Sequence, residues 1–104
     1  MDGKETSTFR VGTVFYKVGK NDLGEVVGTV QIDDIEGTTT FTEQHASDKL
    51  FKLRKARQML KKIPVDNGFK IYVHTNAIKN TKRMLRLIQD TKKQNGIPLD
   101  MPEI

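Results

Sequence analysis

Residues 48–63 read DKLFKLRKARQMLKKI, and this stretch decides how the chain is expected to fold. Seven of its sixteen residues are Lys or Arg. At 100° per residue its apolar side chains fall on one arc, which is typical of a helix packed on a core. Asp48, or Ser47 before it, is a candidate N-cap, and the helix should end before Pro64. The arc that is expected to pack consists of Leu53, Ala56, Met59, Leu60 and Ile63.

The composition is that of a single globular domain spanning residues 1–104. Charged residues make up 30% and hydrophobic residues 36% of the chain, which is enough for one modest core. There is no cysteine, so the chain offers no disulfide or cysteinate metal site, and a cytoplasmic location is expected, in its own cell or a host cell. No apolar run approaches the roughly 18 residues that span a bilayer. Residues 1–7 are expected to be a frayed N-terminus.

Charge is divided unevenly along the chain. The net charge of +5 combines −4 in residues 1–47 with +9 in residues 48–104. Glu is absent from residues 44–102, so the basic helices lack the Glu–Lys pairs that exposed helix faces usually carry. We therefore expect one side of the domain to face a polyanion. The simpler alternative is that the lysines only solvate the outer faces of ordinary helices.

Alternating apolar and polar residues predict four strands, at 8–18, 25–35, 38–43 and 69–75. Short connections between the first three favour an antiparallel meander with the third strand at an edge. The fourth is reached through a helix, so it should run parallel to a neighbour, beside the first strand.

A second amphipathic helix is predicted at about residues 78–93, with Asn76 as a candidate cap and Gly96 as its stop. The expected fold class is α+β (or α/β): a four-stranded mixed sheet in the order β-β-β-α-β-α, with two basic helices packed on it. Residues 97–104 form a tail with two prolines, which either docks on the body or is presented to a partner.

This order of elements resembles the first half of the ribonuclease H-like fold. Residues 71–80, IYVHTNAIKN, are similar to the stretch where that family's fourth strand ends in a catalytic Asp, and residues 42–46 are similar to the entry into its first helix. The resemblance implies three carboxylates that hold divalent metal ions. At the matching positions this chain has Tyr16 and Lys17, then Asp48 or Lys49, and finally His74. At most one carboxylate remains, so the resemblance implies a fold that has lost its chemistry.

No complete catalytic constellation stands out in the sequence. The acidic cluster at 33–36 has the composition of a turn. His45 and His74 have no spacing that selects further ligands, so each is expected to be solvated or to cap an element. Neither Ser7 nor Ser47 lies in a sharp strand-to-helix glycine turn. We therefore predict no catalytic residue, no metal site and no cofactor, and expect a protein that is not an enzyme.

The basic helices are the remaining functional signal. Each carries a basic stripe opposite its apolar arc, and two stripes about one helix diameter apart suit contact with a phosphate backbone. Phe51 projects among basic residues, where it either stacks on a base or packs against the tail or a loop. The predicted nucleic-acid-binding residues are Phe51, Arg54, Lys55, Arg57, Lys61, Lys62, Lys79, Lys82, Arg83, Arg86 and Lys93.

Two functions fit these observations. The leading hypothesis is a small nucleic-acid-associated domain that binds the DNA or RNA backbone, as an accessory factor in replication, transcription or mobile-element biology. The alternative is a protein-interaction module, similar to small phage inhibitors, that modulates a larger nucleic-acid enzyme through an edge strand or the tail at 97–104. Neither involves a membrane, and the pattern distinguishes neither DNA from RNA nor single from double strands.

Overall fold

A four-stranded antiparallel sheet and two long helices form the part of the chain that the computed structural model describes, residues 7–33 and 36–104. The α+β class, with four strands and two helices, is confirmed. The strands follow one another across the sheet in the order β1-β2-β3-β4. The elements are β1 (Ser7–Val11), β2 (Val14–Lys20), β3 (Val26–Ile32), β4 (Thr39–Phe41), α1 (Glu43–Lys62) and α2 (Gly68–Gln94).

The predicted strand at 8–18 is a hairpin of two strands. Gly12 and Thr13 form its two-residue turn, and Gly12 adopts a φ of 59°, which favours glycine. The turn reverses the chain, so Phe9 of β1 lies opposite Tyr16 of β2 and their rings stack, with centroids 4.3 Å apart. Phe9 and Tyr16 therefore lie on the same face of the sheet. A single strand over residues 8–18 would have placed them on opposite faces.

The other strands lie close to their predicted positions. β3 pairs with β2 along its whole length, and β4 pairs with the outer side of β3, at the edge of the sheet as expected. Of the strand predicted at 25–35, residues 34–35 lie outside the described residues, as do residues 1–6 of the expected frayed terminus. β4 ends at Phe41 because Thr42 already caps the following helix.

Residues 69–75 are helical, so the predicted fourth strand was wrong. They belong to α2, which runs without interruption from Gly68 to Gln94. The Asp66 carboxylate accepts the N–H of Gly68 at 3.0 Å, and the Asn67 carbonyl accepts the N–H of Ile71 at 2.9 Å, so the first turn starts within the loop. The sheet is consequently all antiparallel and not mixed. The order is β-β-β-β-α-α, and β1 has no parallel neighbour.

The first helix begins at Glu43, five residues before the predicted start at Asp48. The Thr42 hydroxyl accepts the N–H of His45 at 3.2 Å and so satisfies one of the free amides of the first turn. The predicted end is confirmed, because Ile63 before Pro64 is the C-cap. The earlier start places a carboxylate inside the helix at the sheet, where it becomes buried.

The hydrophobic core lies between one face of the sheet and the helix pair. Gly28 of β3 lets α2 approach closely, since a β-carbon there would lie 2.8 Å from the Met84 sulfur. On α1 the predicted packing arc is only partly used: Met59 and Ile63 remain exposed. The buried apolar side chains are Val18, Val26, Ala46, Leu50, Ile78, Met84, Leu85 and Ile88.

Candidate functional site

The two helices pack side by side in opposite directions. Glu43 at the start of α1 hydrogen-bonds Gln89 near the end of α2. Further along, Arg57 Nη1 donates to Thr75 Oγ1 at 3.4 Å. This register places residues 50–54 of α1 opposite residues 78–82 of α2. Because α2 lies over β2 and β3 while α1 lies over β3 and β4, both helices have one side against the sheet and one side away from it.

Most of the predicted basic residues lie on the side of the helix pair away from the sheet. The sheet-facing side of α1 is marked by Lys49, whose ammonium lies over the Phe41 ring, and that of α2 by Met84 and Ile88. Helical periodicity places seven exposed basic residues roughly opposite these markers. We call them the outer basic face: Arg54, Lys55, Lys61, Lys62, Lys79, Lys82 and Arg86.

The outer basic face carries regularly spaced charges of one sign. Lys79, Lys82 and Arg86 extend along α2 for about 10 Å, a length that covers about three phosphates of one strand. Asp66, in the loop between the helices, is the only acidic residue from 49 to 89. Among the described residues, none of the seven basic side chains takes part in a salt bridge.

Three of the predicted nucleic-acid-binding residues are held by contacts within the domain. Arg57 is partly buried between the helices by its hydrogen bond to Thr75. The Arg83 guanidinium lies over the Phe9 ring, 5.0 Å from its centroid, and Lys93 pairs with Glu103 of the tail. These three side chains are therefore less available to a ligand than the outer basic face.

Phe51 lies among the basic residues as the sequence predicted. It is 68% exposed, so neither the tail nor a described loop covers it. Arg54 and Lys55 follow it by three and four residues and hence neighbour it on the helix surface. An exposed aromatic ring beside two cations is an arrangement on which a nucleic-acid base can stack.

The C-terminal tail docks on the body through Glu43. Docking was one of the two arrangements that the sequence allowed for residues 97–104. The Glu43 side chain is 0% exposed. Its carboxylate accepts a hydrogen bond from Lys92 Nζ at 2.7 Å and one from Gln89 Nε2 at 3.0 Å. The N–H groups of Asp100 and Met101 each donate to it at 3.0 Å. We call these five residues the tail lock.

The tail lock shifts the pKa values of its charged groups. Burial alone would raise the pKa of Glu43, but the hydrogen bonds from Lys92, the tail amides and Gln89 outweigh it and lower that pKa from 4.5 to about 2. Burial alone would lower the pKa of Lys92, yet its hydrogen bonds to Glu43 and Asp100 raise it. Both groups are therefore held in their charged forms. Sequence reasoning missed this cluster because Glu43 was assigned to a strand.

No arrangement for metal chemistry is found in residues 7–33 and 36–104: no three His, Cys, Asp or Glu side chains converge there. Asp33 of the acidic cluster pairs with Arg10 at 2.7 Å, while Asp34 lies outside the described residues. His74 Nδ1 lies 2.9 Å from the Lys70 carbonyl within its own helix. Neither α1 nor α2, the two helices of the described ranges, has an apolar stretch that could span a bilayer.

A cleft of about 290 Å³ opens between the helix-facing side of the sheet and the helix pair. Val30 and Phe41 line its floor, and Ala77 and Met84 line its wall. Burial raises the pKa of the Tyr16 hydroxyl at its side, and a hydrogen bond with Asn80 offsets this only in part. The lining is mainly apolar, and its other polar members are Thr39, Lys49 and Thr81.

The chain matches no protein-family model, no curated protein and no solved structure. The ribonuclease H-like resemblance relied on a strand at 69–75 between two helices, and those residues are helical. The outer basic face is the feature that the sequence predicted and that the fold gathers on one surface.

Proposed function

We propose that this domain binds the backbone of DNA or RNA through the outer basic face, as a non-enzymatic accessory domain. The observation that supports the proposal is the seven exposed Lys and Arg side chains on the side of the helix pair away from the sheet, in a stretch, residues 49–89, whose single acidic residue is Asp66 in the loop. A polyanion gains affinity there because each neutralised phosphate releases condensed counterions. In this role the domain would act in the cytoplasm. It would assist a larger nucleic-acid-processing assembly of a cell, a phage or a mobile element.

Phe51 adds a preference for single strands. Unpaired bases present a free face to the ring, and its neighbours Arg54 and Lys55 hold the adjacent phosphates. A duplex keeps its bases stacked, so it contacts only the cations. Single-stranded ligands should therefore bind more tightly than a duplex with the same number of phosphates within reach.

The test is a salt titration of binding to labelled 20-nucleotide single strands and duplexes of mixed sequence. We expect micromolar binding at low salt and a steep fall in affinity as salt rises. Lys82→Ala and Arg86→Ala should each weaken binding to all sequences and reduce the salt slope by roughly one. Lys17→Ala is the matched control, because it removes the same charge from an exposed residue on the opposite face of the sheet. Equal effects at all three positions would argue for charge alone and against a defined face.

Phe51→Ala separates stacking from charge. It should weaken binding to single strands by about 1–3 kcal/mol with little change in salt slope, because stacking releases no counterions. Duplex binding should be almost unaffected. If instead Phe51→Ala lowers the melting temperature and leaves affinity unchanged, the side chain serves packing and its assignment to the binding surface is wrong.

A protein-interaction module is the second candidate. The observation that favours it is a group of exposed apolar side chains at the end of the helix pair, including Phe69 and Tyr72. The docked tail is less suited to this role than the sequence suggested, since Glu43 holds it through two backbone amides. Charge variants that bind nucleic acid normally but lose a protein partner would move the assignment to this candidate.

A further inference from the structure

The helix pair extends past the sheet on which it packs. α2 has 27 residues and therefore spans about 40 Å, whereas β2 and β3 have seven residues each and span about 23 Å. The N-terminal part of α2 and the C-terminal part of α1 consequently have no strand beneath them. Phe69 is 78% exposed and Met59 is 60% exposed.

The stripes that face the sheet stay apolar beyond its end. On α2 the stripe through Met84 and Ala77 continues at helical spacing to Val73 and Phe69. On α1 the stripe marked by Lys49 is apolar from Ala56 onward, through Met59 to Ile63. A helix with no partner at that point would ordinarily carry polar residues there. The continued apolar character indicates that something else covers these stripes.

We define the distal patch as the exposed apolar residues at this end of the helix pair. Four of its six members are aliphatic, and aliphatic side chains bury well against a protein but offer no ring on which a base can stack. The register of the helix pair places Met59 opposite Val73 and Ile63 opposite Phe69. Exposed apolar residues that neighbour one another in this way mark interaction sites. The members are Met59, Ile63, Val65, Phe69, Tyr72 and Val73.

The charge around the distal patch indicates the kind of partner. Residues 49–89 contain twelve basic residues and one acidic residue, Asp66. Lys52 of α1 and Lys70 of α2 lie near the distal patch in the sequence, and Lys61 and Lys62 come just before the loop that joins the two helices. Two copies of this chain meeting here would bring like charges together, which costs free energy, whereas an acidic partner would gain from the same charges.

We propose that the distal patch docks an amphipathic, acidic helix of a partner protein. Its apolar side chains at positions i, i+3, i+4 and i+7 would pack on the aliphatic and aromatic members, and its flanking carboxylates would pair with the surrounding lysines. Residues 68–77 extend for about 15 Å, which accommodates about three turns of a bound helix. None of the apolar members of the distal patch belongs to the outer basic face, and only Lys61 and Lys62 of that face border the patch. The partner and nucleic acid would therefore share these two lysines and otherwise occupy different residues.

The test uses the full chain and three synthetic 14-residue peptides. One has Leu at i, i+3, i+4, i+7 and i+11 with Glu and Ala elsewhere, the second replaces every Glu by Lys, and the third scrambles the first. In ¹⁵N-correlated spectra we expect the acidic amphipathic peptide to shift resonances of residues 56–76. It should bind at least tenfold more tightly than either of the other two peptides.

Variants then locate the contact. Phe69→Ser and Val73→Ser should each weaken binding of the acidic peptide at least tenfold and leave the melting temperature nearly unchanged. Leu23→Ser is the matched control, since Leu23 is an apolar side chain that is 83% exposed in the β2–β3 turn. It should leave peptide binding unchanged.

Three results would overturn the proposal. One is equal binding of the acidic peptide and its scrambled form. Another is a dimer in sedimentation that Val73→Asp dissociates, which would make a second copy the occupant. The third is a set of shifts at Phe69 and Val73 caused by a 20-nucleotide single strand, which would extend the nucleic-acid surface to this end. Peptide binding and nucleic-acid binding are measured separately, so either proposal can fail alone.

Discussion

The two ends of the helix pair differ in how far their apolar side chains are buried. The sheet end is where α1 begins and α2 ends, and the far end is where α1 ends and α2 begins. At the sheet end, Leu85 and Ile88 are fully buried and the tail lock joins α1, α2 and the tail. At the far end, Phe69 and Tyr72 of the same α2 are exposed. Apolar residues are thus not confined to the interior, and their exposure here is the informative observation. The sheet end holds the fold, and the far end is free to make contacts.

The sheet end also shows how a buried charged group can have all its hydrogen-bonding atoms paired. Within the described residues, no buried side-chain nitrogen or oxygen lacks a hydrogen-bond partner. The Glu43 carboxylate makes four hydrogen bonds, and Gln89 also accepts the N–H of Ile104 at 3.2 Å. A network in which every polar atom is paired rigidifies its surroundings. The loss of one member leaves buried polar groups without a partner, which costs free energy of folding.

Glu43→Ala should have the largest effect on stability. It leaves the Lys92 ammonium buried beside an exposed Asp100 and removes the acceptor of two tail amides. We expect the free energy of unfolding in urea to fall by about 3–5 kcal/mol, the range for breaking a buried ion pair. The double variant Glu43→Ala/Lys92→Met should recover part of this loss, because it removes the unpaired charge.

The surface pair of Arg10 and Asp33 is the control for that experiment. Its side chains are 51% and 37% exposed, and exposed pairs contribute at most about 1 kcal/mol. Arg10→Ala should therefore cost far less than Glu43→Ala. Similar losses for the two variants would show that the tail lock is no more important than a surface contact.

Acid should weaken the sheet end next. The folded-state pKa of Glu43 is lowered from 4.5 to about 2, so its contribution is fully present above pH 4.5 and is lost as the pH falls towards 2. Urea unfolding at several pH values should show stability declining across this window. The decline should be shallower in Glu43→Ala, which has no carboxylate to protonate. An unchanged pH dependence in that variant would contradict the assignment.

The sequence predicted the sheet end better than the far end, for physical reasons. The buried arc of α2 and the C-terminal boundary of α1 follow from periodicity and from Pro64, both of which are local signals. Residues 69–75 alternate and contain β-branched and aromatic side chains, so a strand was the natural prediction. The missed signal was the lack of a Gly or Pro between Thr75 and Ile78, which leaves no turn to separate a strand from the helix.

The site was predicted in composition but not in arrangement. Charge counting identified the outer basic face, yet it also included Arg57, Arg83 and Lys93, whose partners lie in other segments of the chain: the second helix, the first strand and the tail. The tail lock was beyond reach for the same reason, since Glu43 and Asp100 are brought together only by the complete fold. Contacts between distant segments leave no periodic trace in the sequence.

Gly28→Ala should have a moderate effect that is again confined to the sheet end. The added β-carbon would meet the Met84 sulfur at 2.8 Å, and it would also crowd two methionine carbons. Overpacking of this kind costs about 1–3 kcal/mol. Thermal unfolding measures the loss, and Gly28→Ala/Met84→Val should cost less than the sum of the two single changes because the shorter side chain makes room.

Phe69→Ala should have the smallest effect. The side chain is almost free of neighbours, and substitutions at such surface positions usually change stability by less than about 0.5 kcal/mol. Leu85→Ala on the same helix is the comparison, since Leu85 is fully buried and its truncation should cost about 2–5 kcal/mol. Equal losses of unfolding free energy for the two variants would show that the far end of α2 is packed as tightly as the sheet end.

Native-state hydrogen exchange, followed amide by amide along α2, tests the division of the helix pair most directly. We expect amides of residues 84–92 to exchange only through global unfolding, with a free energy equal to that from urea. Amides of residues 71–76 should show helical chemical shifts but exchange through local opening, at a free energy well below the global value. Uniform protection along α2, or strand-like shifts at 69–75, would contradict the account.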